Sequence, residues 1–130
     1  MFRLSSTINK TINKTLKYYS TKPYVLVNNL EVKKETTPEF LDWLKNKHIH
    51  DVLECDGFKY ARLYFDELNE HQNETDLISI HYYNESKEKL EKYFENEGKQ
   101  FREEGNKKWG DKMKVLQRRL LRWEYFEKKN

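Results

Sequence analysis

The chain has 130 residues, of which 36% are charged and 36% hydrophobic, and it contains three Trp, nine Tyr and seven Phe. This length allows one domain, and so many large aromatic rings mean that the high charge does not indicate disorder. The single cysteine, Cys55, excludes an intramolecular disulfide and a two-cysteine metal loop, and it fits a reducing compartment.

The net charge of +3 is unevenly distributed along the chain. Residues 1–22 contain five basic residues and no acid, whereas residues 23–130 contain 20 basic and 22 acidic residues, a net charge of −2. A nearly neutral domain lacks the electrostatic basis for general attraction to nucleic acid, so we expect no nucleic-acid partner. No stretch approaches the roughly 20 apolar residues of a spanning helix, which predicts no membrane span.

Residues 1–22 have the composition of a mitochondrial transit peptide: basic, free of acids and rich in Ser and Thr. On a helix, Arg3 and three lysines would lie opposite an apolar stripe. We therefore predict a leader over residues 1–22 and the mitochondrial matrix as the location, with a surface helix or a basic tail as the alternative. The stripe consists of Leu4, Ile8, Ile12, Leu16 and Tyr19.

The domain predicted over residues 23–130 begins with a strand at Tyr24, in the segment YVLVNNLEV. Thr37-Pro38-Glu39 then combines an N-cap, a proline in the first turn and an acidic residue, which predicts a helix that ends near Asp56-Gly57. Its apolar stripe contains Phe40, Leu41, Leu44 and Val52, and His48 lies within the same stripe.

The second half predicts two strands, a helix and a last strand. The segments FKYARLYFDEL and DLISIHYY, joined by a polar connection, should pair as an antiparallel hairpin. Ser86 or Asn84 can cap a helix over residues 87–109, with Leu90, Tyr93, Phe94 and Phe101 facing inward and a break near Gly98 or Gly105. Gly110 ends that helix, and the last strand follows over residues 112–126.

The order β-α-β-β-α-β predicts an α+β fold of the ferredoxin-like kind, a four-stranded antiparallel sheet with both helices on one face. Strand alternation gives both faces of this sheet apolar residues, although two helices can cover only one face. We therefore expect a homodimer. In each of the last three strands, one group of residues is predicted to point to one face of the sheet and a second group to the opposite face. For the second strand these groups are Ala61, Leu63 and Phe65, and Phe58, Tyr60 and Tyr64; for the third, Ile78, Ile80 and Tyr82, and Leu77, His81 and Tyr83; and for the fourth, Val115, Leu121 and Trp123, and Leu116, Leu120 and Phe126.

Two segments resemble the domain-of-unknown-function family DUF4286 of the dimeric α/β-barrel superfamily. The similarity covers about 100 residues in one register, and the chain departs from the family at His50, where the family reads proline, and at Gly98 and Gly105. The matching residues are Trp43, His48-Ile49, Asp51-Val52-Leu53, Gly57-Phe58, Ala61, Tyr82, Leu90, Tyr93, Arg102-Glu103 and Trp109-Gly110.

The resemblance implies a ferredoxin-like dimer but no particular reaction, since the superfamily includes monooxygenases, isomerases and decarboxylase-like enzymes as well as members without catalysis. Several members place a first-helix histidine in a cleft between sheet and helices, and His48 corresponds to it. His48 is therefore the candidate catalytic residue, as a general base or a ligand anchor. The alternative is a histidine that only packs in the core.

Aromatic residues supply the candidate ligand-binding side chains, which are Trp43, Tyr60, Tyr64 and His81, with Tyr83 nearby in sequence. Plain core or interface packing is the competing interpretation for each of them. No metal site and no cofactor are predicted. Three functions stay open: a small-molecule enzyme or ligand carrier, a non-catalytic subunit of a larger mitochondrial assembly that uses the exposed sheet face, and a homodimer that regulates another protein.

Overall fold

The computed structural model describes residues 23–68 and 74–130. The predicted leader over residues 1–22 and part of the polar connection, residues 69–73, lie outside the described residues. The elements are strand β1 (Tyr24–Lys33), helix α1 (Thr37–Trp43), a π-helical segment (Leu44–His48), helix α2 (Ile49–Leu53), strands β2 (Phe58–Phe65) and β3 (Thr75–Asn84), helices α3 (Lys87–Glu95) and α4 (Glu97–Trp109), a 3-10 turn (Gly110–Lys112) and strand β4 (Met113–Arg122).

The four strands form one antiparallel sheet in the order β2-β3-β1-β4. Strand β1 lies in the middle, where it pairs with β3 on one side and with β4 on the other. Strands β2 and β3 pair as the sequence predicts for a hairpin. The chain is therefore an α+β fold built on a four-stranded antiparallel sheet, and β2 and β4 are its edges.

The helices pack on one face of this sheet, which we call the core face. Alternate residues of β1 and β3 point into the core, because successive side chains of a strand lie on opposite faces. They meet apolar side chains from the helices, and most of the side chains in this layer are less than a tenth exposed. The central residues of the core are Leu26, Leu30, Val32, Phe40, Leu44, Val52, Ile78, Ile80, Tyr82, Leu90, Tyr93 and Trp109.

The predicted side-chain directions of β3 are confirmed by its register with β1, but those of β2 and β4 are partly wrong. In β2 the register shifts between Phe58 and Tyr60, so Phe58 is buried in the core and does not share a face with Tyr60. In β4 the register shifts beside Leu116, and Leu121 consequently lies on the face opposite Val115. An extra residue in one strand reverses the alternation beyond it.

Two other predictions need correction. Strand β4 ends at Arg122, so residues 123–126 are not part of the strand. The second predicted helix is interrupted at Asn96, whose φ of −112° and ψ of −98° separate α3 from α4, two residues before Gly98. Phe94, predicted to face inward, is 39% exposed and is therefore not part of the buried core. Within the described residues, no helix has the length and apolar character needed to cross a membrane.

Candidate functional site

A cavity of about 60 Å³ lies between the core face of the sheet and the helices. This volume has room for a few water-sized groups. Its walls come from β1, β4, the π-helical segment and α4, and they combine apolar and aromatic side chains with a few polar ones. The polar and aromatic side chains that matter most are Asn28, Trp43, His48, Phe101, Arg102 and Arg118.

His48 is the last residue of the π-helical segment and lines this cavity. Its imidazole stacks on Trp43, with 4.6 Å between ring centroids and 17° between planes, and meets the edge of Phe101 at 5.7 Å. Within residues 23–68 and 74–130, neither ring nitrogen has a hydrogen-bond partner. A π-helical turn widens a helix by one residue per turn and often marks a functional site, so it draws attention to the position of His48.

Burial determines the charge of His48. Removal of the ring from water lowers the pKa of His48 to about 4, and this effect outweighs the opposing influence of the Asp51 carboxylate. The imidazole is therefore neutral at pH 7, with one nitrogen able to donate a hydrogen bond and the other able to accept one. A base with so low a pKa is weak at neutral pH, whereas a neutral hydrogen-bonding side chain suits ligand binding.

Asn28 is the polar residue in the middle of β1, between the core residues Leu26 and Leu30. Its Oδ1 is buried and has no hydrogen-bond partner within the described residues. An unpaired buried acceptor costs about 1–3 kcal/mol, and such atoms in folded proteins usually face a water molecule or a ligand. Asn28 thus lines the same cavity as His48, although its unpaired Oδ1 is enclosed by protein atoms.

Two helical glycines also line the cavity. At Gly98 a Cβ would lie 2.8 Å from the backbone oxygen of Tyr93, so only glycine fits there. At Gly105 the nearest atom to an added Cβ would be in the Trp43 ring at 4.0 Å. Gly105 thus leaves open space where most helices would carry a side chain.

The remaining predicted ligand-binding residues lie on the other side of the sheet, which we call the open face. Tyr60 and Tyr83 stack there with 4.5 Å between centroids, and Tyr64 packs on His81 at 4.5 Å. The guanidinium of Arg62 lies 5.6 Å from the centres of both Tyr60 and Tyr83. These rings pack against one another, and they do not line the cavity described above.

A row of hydrogen bonds crosses the open face beside these rings. The Asn29 amide donates to Gln117 Oε1 at 3.1 Å and accepts from the Ser79 hydroxyl at 2.7 Å, while His81 Nε2 lies 3.1 Å from the same hydroxyl. Burial, followed by the nearby Arg62 charge, lowers the pKa of His81. The open face is therefore an ordered polar and aromatic surface.

The structure thus divides the predicted site residues into two groups. It brings His48 and Trp43 together at the cavity, and it places Tyr60, Tyr64 and His81 on the opposite face of the sheet. Sequence reasoning missed Asn28, Arg102 and Arg118 as cavity residues. Asn28 had a usable signal, because a polar residue at the middle of an apolar alternation must lie on the core face.

The described residues at the site favour neither metal binding nor thiol chemistry. Among residues 23–68 and 74–130, no three His, Cys, Asp or Glu side chains are placed to hold a metal ion together. Partial burial raises the pKa of the Cys55 thiol, and the Glu97 and Asp51 carboxylates raise it further. Such an environment disfavours the reactive thiolate.

Comparison with known proteins places the chain in a family without assigning a reaction. Residues 23–123, more than three quarters of the chain, match the family described as Domain of unknown function (DUF4286). The match begins at the residue before β1 and ends just after β4, so it includes the whole sheet and every helix described above. No curated protein matches the chain. The chain therefore belongs to the DUF4286 family.

Proposed function

We propose that the domain binds a small molecule at the cavity between sheet and helices, with His48 as its principal polar contact. The observation that carries this proposal is the neutral His48 imidazole, fixed between Trp43 and Phe101 and without a hydrogen-bond partner among the described residues. His48 is half-buried, and its ring nitrogens are not among the enclosed unpaired atoms, so water reaches them and a ligand can replace that water. Asn28, whose enclosed Oδ1 has no hydrogen-bond partner among the described residues, lines the same cavity and is a second polar residue next to a bound ligand.

The low pKa of His48 favours binding over catalysis as the primary role. General-base catalysis at neutral pH is most efficient with a pKa near 7, and His48 titrates at about 4. A neutral imidazole held by two aromatic rings can instead orient a ligand through one hydrogen bond. We therefore assign His48 as a ligand anchor, and any reaction would need its proton acceptor elsewhere.

The test is a binding screen of small anionic, cationic and neutral compounds against the wild type and a His48→Phe variant. Phenylalanine keeps a ring between Trp43 and Phe101 but removes both nitrogens, so the fold should survive while the anchor is lost. We expect at least one compound whose affinity falls about tenfold in His48→Phe, which corresponds to one hydrogen bond. His50→Gln, at an exposed position two residues away, is the matched control and should bind as the wild type does.

If every compound binds His48→Phe and the wild type equally well, His48 is not the anchor and the proposal fails. Compounds that lose affinity equally in His48→Phe and His50→Gln would point to a general effect on the helix, and would also contradict it. Circular dichroism and urea unfolding of both variants show whether a lost affinity reflects a lost fold.

A second proposal concerns the open face, which we propose is the contact surface of a homodimer. The support is its composition: Tyr and Arg, which are enriched in protein interfaces, surround two valines of β1. The valines, Val25 and Val27, are already covered within the chain, at 4% and 7% exposed, so the apolar groups that a second copy would bury include Tyr64 and Leu121, which are 42% and 36% exposed on this face. The resemblance to the dimeric α/β-barrel superfamily and the element order of a ferredoxin-like fold favour a second copy of the chain as the partner that covers the open face.

Light scattering after size exclusion tests the dimer. The chain has a mass of 16.0 kDa, so a dimer of the full chain has about 32 kDa. Tyr64→Glu should give a monomer, because it introduces a charge at the proposed contact. Phe65→Glu is the matched control, since Phe65 is 47% exposed and points to the core face of the same strand. A monomeric wild type at all concentrations would contradict the proposal.

We also propose that the protein resides in the mitochondrial matrix, supported by the five basic residues and the absence of acids over residues 1–22. An import assay with isolated mitochondria, followed by intact mass of the imported chain, tests this. Native gel electrophoresis of the same extract addresses the alternative function, a non-catalytic subunit of a larger assembly. Migration well above the mass of a dimer would favour that alternative, whereas migration as a dimer would count against it.

A further inference from the structure

The cavity carries positive charge that the described protein does not neutralise. Two arginines line it, Arg102 from α4 and Arg118 from β4, and none of its lining residues is acidic. His48 adds no compensating charge because it is neutral at pH 7. An anion in the cavity would accept charge-assisted hydrogen bonds from these two guanidinium groups, which have no acidic partner among the lining residues.

Arg118 is the less constrained of the two arginines. It pairs with Asn28 across the β1–β4 ladder, which places its side chain on the core face. Within the described residues it has no hydrogen bond and no ion pair, whereas Arg122 of the same strand binds Glu124 at 2.8 Å. Desolvation, and then the like charge of Arg102, lower the pKa of Arg118, as expected for a cation that lacks an anionic partner.

Arg102 is oriented by its neighbours but not neutralised. Its Nη2 donates to the Phe94 carbonyl oxygen at 2.8 Å, and its guanidinium lies 4.0 Å from the centre of the Phe94 ring. A guanidinium carries five N–H donors, so donors stay available for another acceptor. The contact with Phe94 therefore holds a cation in place at the edge of the cavity.

An apolar groove of about 270 Å³ adjoins the cavity. The cavity and the groove share Leu26, Phe94 and Arg118, so Arg118 lies where they meet. Leu90 and Leu120 complete the apolar part of the groove, and Leu120 is 40% exposed. A ligand that reaches both spaces would place a polar group near Arg118 and an apolar part along the groove.

We propose that the ligand is a small monocarboxylic acid with an apolar chain, whose carboxylate binds Arg102 and Arg118 and whose chain lies on Leu90, Phe94 and Leu120. This inference rests on the proposed function and adds the chemical class of the ligand. Carboxylates match the planar donor geometry of guanidinium groups, and the groove supplies apolar contact. Glu91, Glu95 and Arg119 also line the groove. Because the two glutamates outnumber Arg119, a second carboxylate at the far end of the chain would be disfavoured.

The experiment measures the affinities of octanoate, octanamide, octanedioate and inorganic phosphate for the full-length protein by titration calorimetry, below micelle-forming concentrations. We expect octanoate to bind at least about tenfold more tightly than octanamide, since a hydrogen bond to a charged group contributes roughly that much. Octanedioate should bind more weakly than octanoate, and phosphate should not compete with it.

Arg118→Gln should bring the affinity for octanoate down to that for octanamide. Because Arg118 is exposed, the substitution should leave the fold intact, and urea unfolding checks this. Lys114→Gln is the matched control: it removes the same charge from the same strand, at an exposed residue that lines neither the cavity nor the groove. Octanoate binding to this variant should be unchanged.

The possible failures are distinguishable from failure of the proposed function. If octanamide binds as tightly as octanoate and His48→Phe weakens both, the carboxylate class is wrong while the ligand site stands. If octanoate does not bind, or phosphate displaces it fully, the present inference is overturned, and the wider compound screen alone decides the proposed function. If Arg118→Gln and Lys114→Gln weaken octanoate equally, general charge attraction explains the binding and the inference is also overturned.

Discussion

His48 should make the stability of the protein depend on pH between about 4 and 6.5. Its pKa is about 4 in the folded protein, against 6.5 for an unperturbed histidine. Between these values the unfolded chain binds a proton that the folded chain does not, so stability is full above pH 6.5 and falls as the pH decreases toward 4. The whole shift corresponds to roughly 3 kcal/mol, and about 2 kcal/mol of it should be lost between pH 7 and pH 5.

Urea unfolding followed by tryptophan fluorescence at pH 7, 6 and 5 measures this effect. Other groups titrate in the same range, including His81, so the informative quantity is the difference between the wild type and His48→Phe, in which the other groups cancel. We expect the wild type to lose about 2 kcal/mol more than His48→Phe between pH 7 and pH 5. His50→Gln should retain the full pH dependence of the wild type. Equal pH dependence in the wild type and His48→Phe would refute the assignment of a buried, neutral His48.

The remaining predictions concern the glycines at the cavity and the loop before α3, and chemical denaturation measures each of them. Gly105→Ala should raise the free energy of unfolding by about 1 kcal/mol through helix propensity, because the added Cβ has no neighbour closer than 4.0 Å. It should also weaken ligand binding by filling the cavity. Gly98→Ala should destabilise the protein instead, because its Cβ would lie 2.8 Å from the Tyr93 backbone oxygen; equal effects of the two substitutions would contradict this. Asn84→Ala should cost about 2–3 kcal/mol, since Asn84 is 2% exposed and makes two side-chain hydrogen bonds with the backbone, one of them to the Asp56 carbonyl oxygen at 3.1 Å. A cost below about 0.5 kcal/mol, typical of surface substitutions, would show that these bonds contribute little.

The sequence predicted the order of strands and helices and the helical core, but not the π-helical segment Leu44–His48 or the interruption at Asn96. Pro38 and the acidic Glu39 mark the start of α1, and the spacing of Phe40, Leu44 and Val52 predicts the residues that the structure buries to 1% or less. These signals are local, because capping and apolar periodicity act within a few residues. For the same reason, the alternation of β3 predicted its two faces correctly.

The failures arise where a long-range feature shifts the register. The irregularities beside Phe58 and Leu116 reverse the alternation of β2 and β4. Gly57 precedes the first irregularity, whereas no glycine or proline lies beside the second. The interruption at Asn96 was also not predicted at that residue, and Phe94, two residues before it, is exposed. Arg118 was missed as a cavity residue for the same reason, since its position on the core face depends on the register of β4 with β1.

The candidate site was predicted in part because its residues come from distant segments. The stripe of α1 pointed to His48, and the neighbouring Trp43 was among the predicted ligand-binding residues. Tyr60, Tyr64 and His81 were assigned to the same site, although the sheet separates them from His48. Aromatic composition gives no information on which face a strand residue occupies, so only the register could separate the two groups.

The most direct test of the central claim, that a small molecule binds at the cavity beside His48, is a protein-observed NMR titration with the tightest compound from the screen. The ring resonances of His48 and His81 report on opposite faces of the sheet in the same sample. We expect the compound to change the chemical shifts of the His48 ring and of the Asn28 side-chain amide, whereas those of the His81 ring stay unchanged. Shifts at His81 without any at His48 would place binding on the open face and contradict the account.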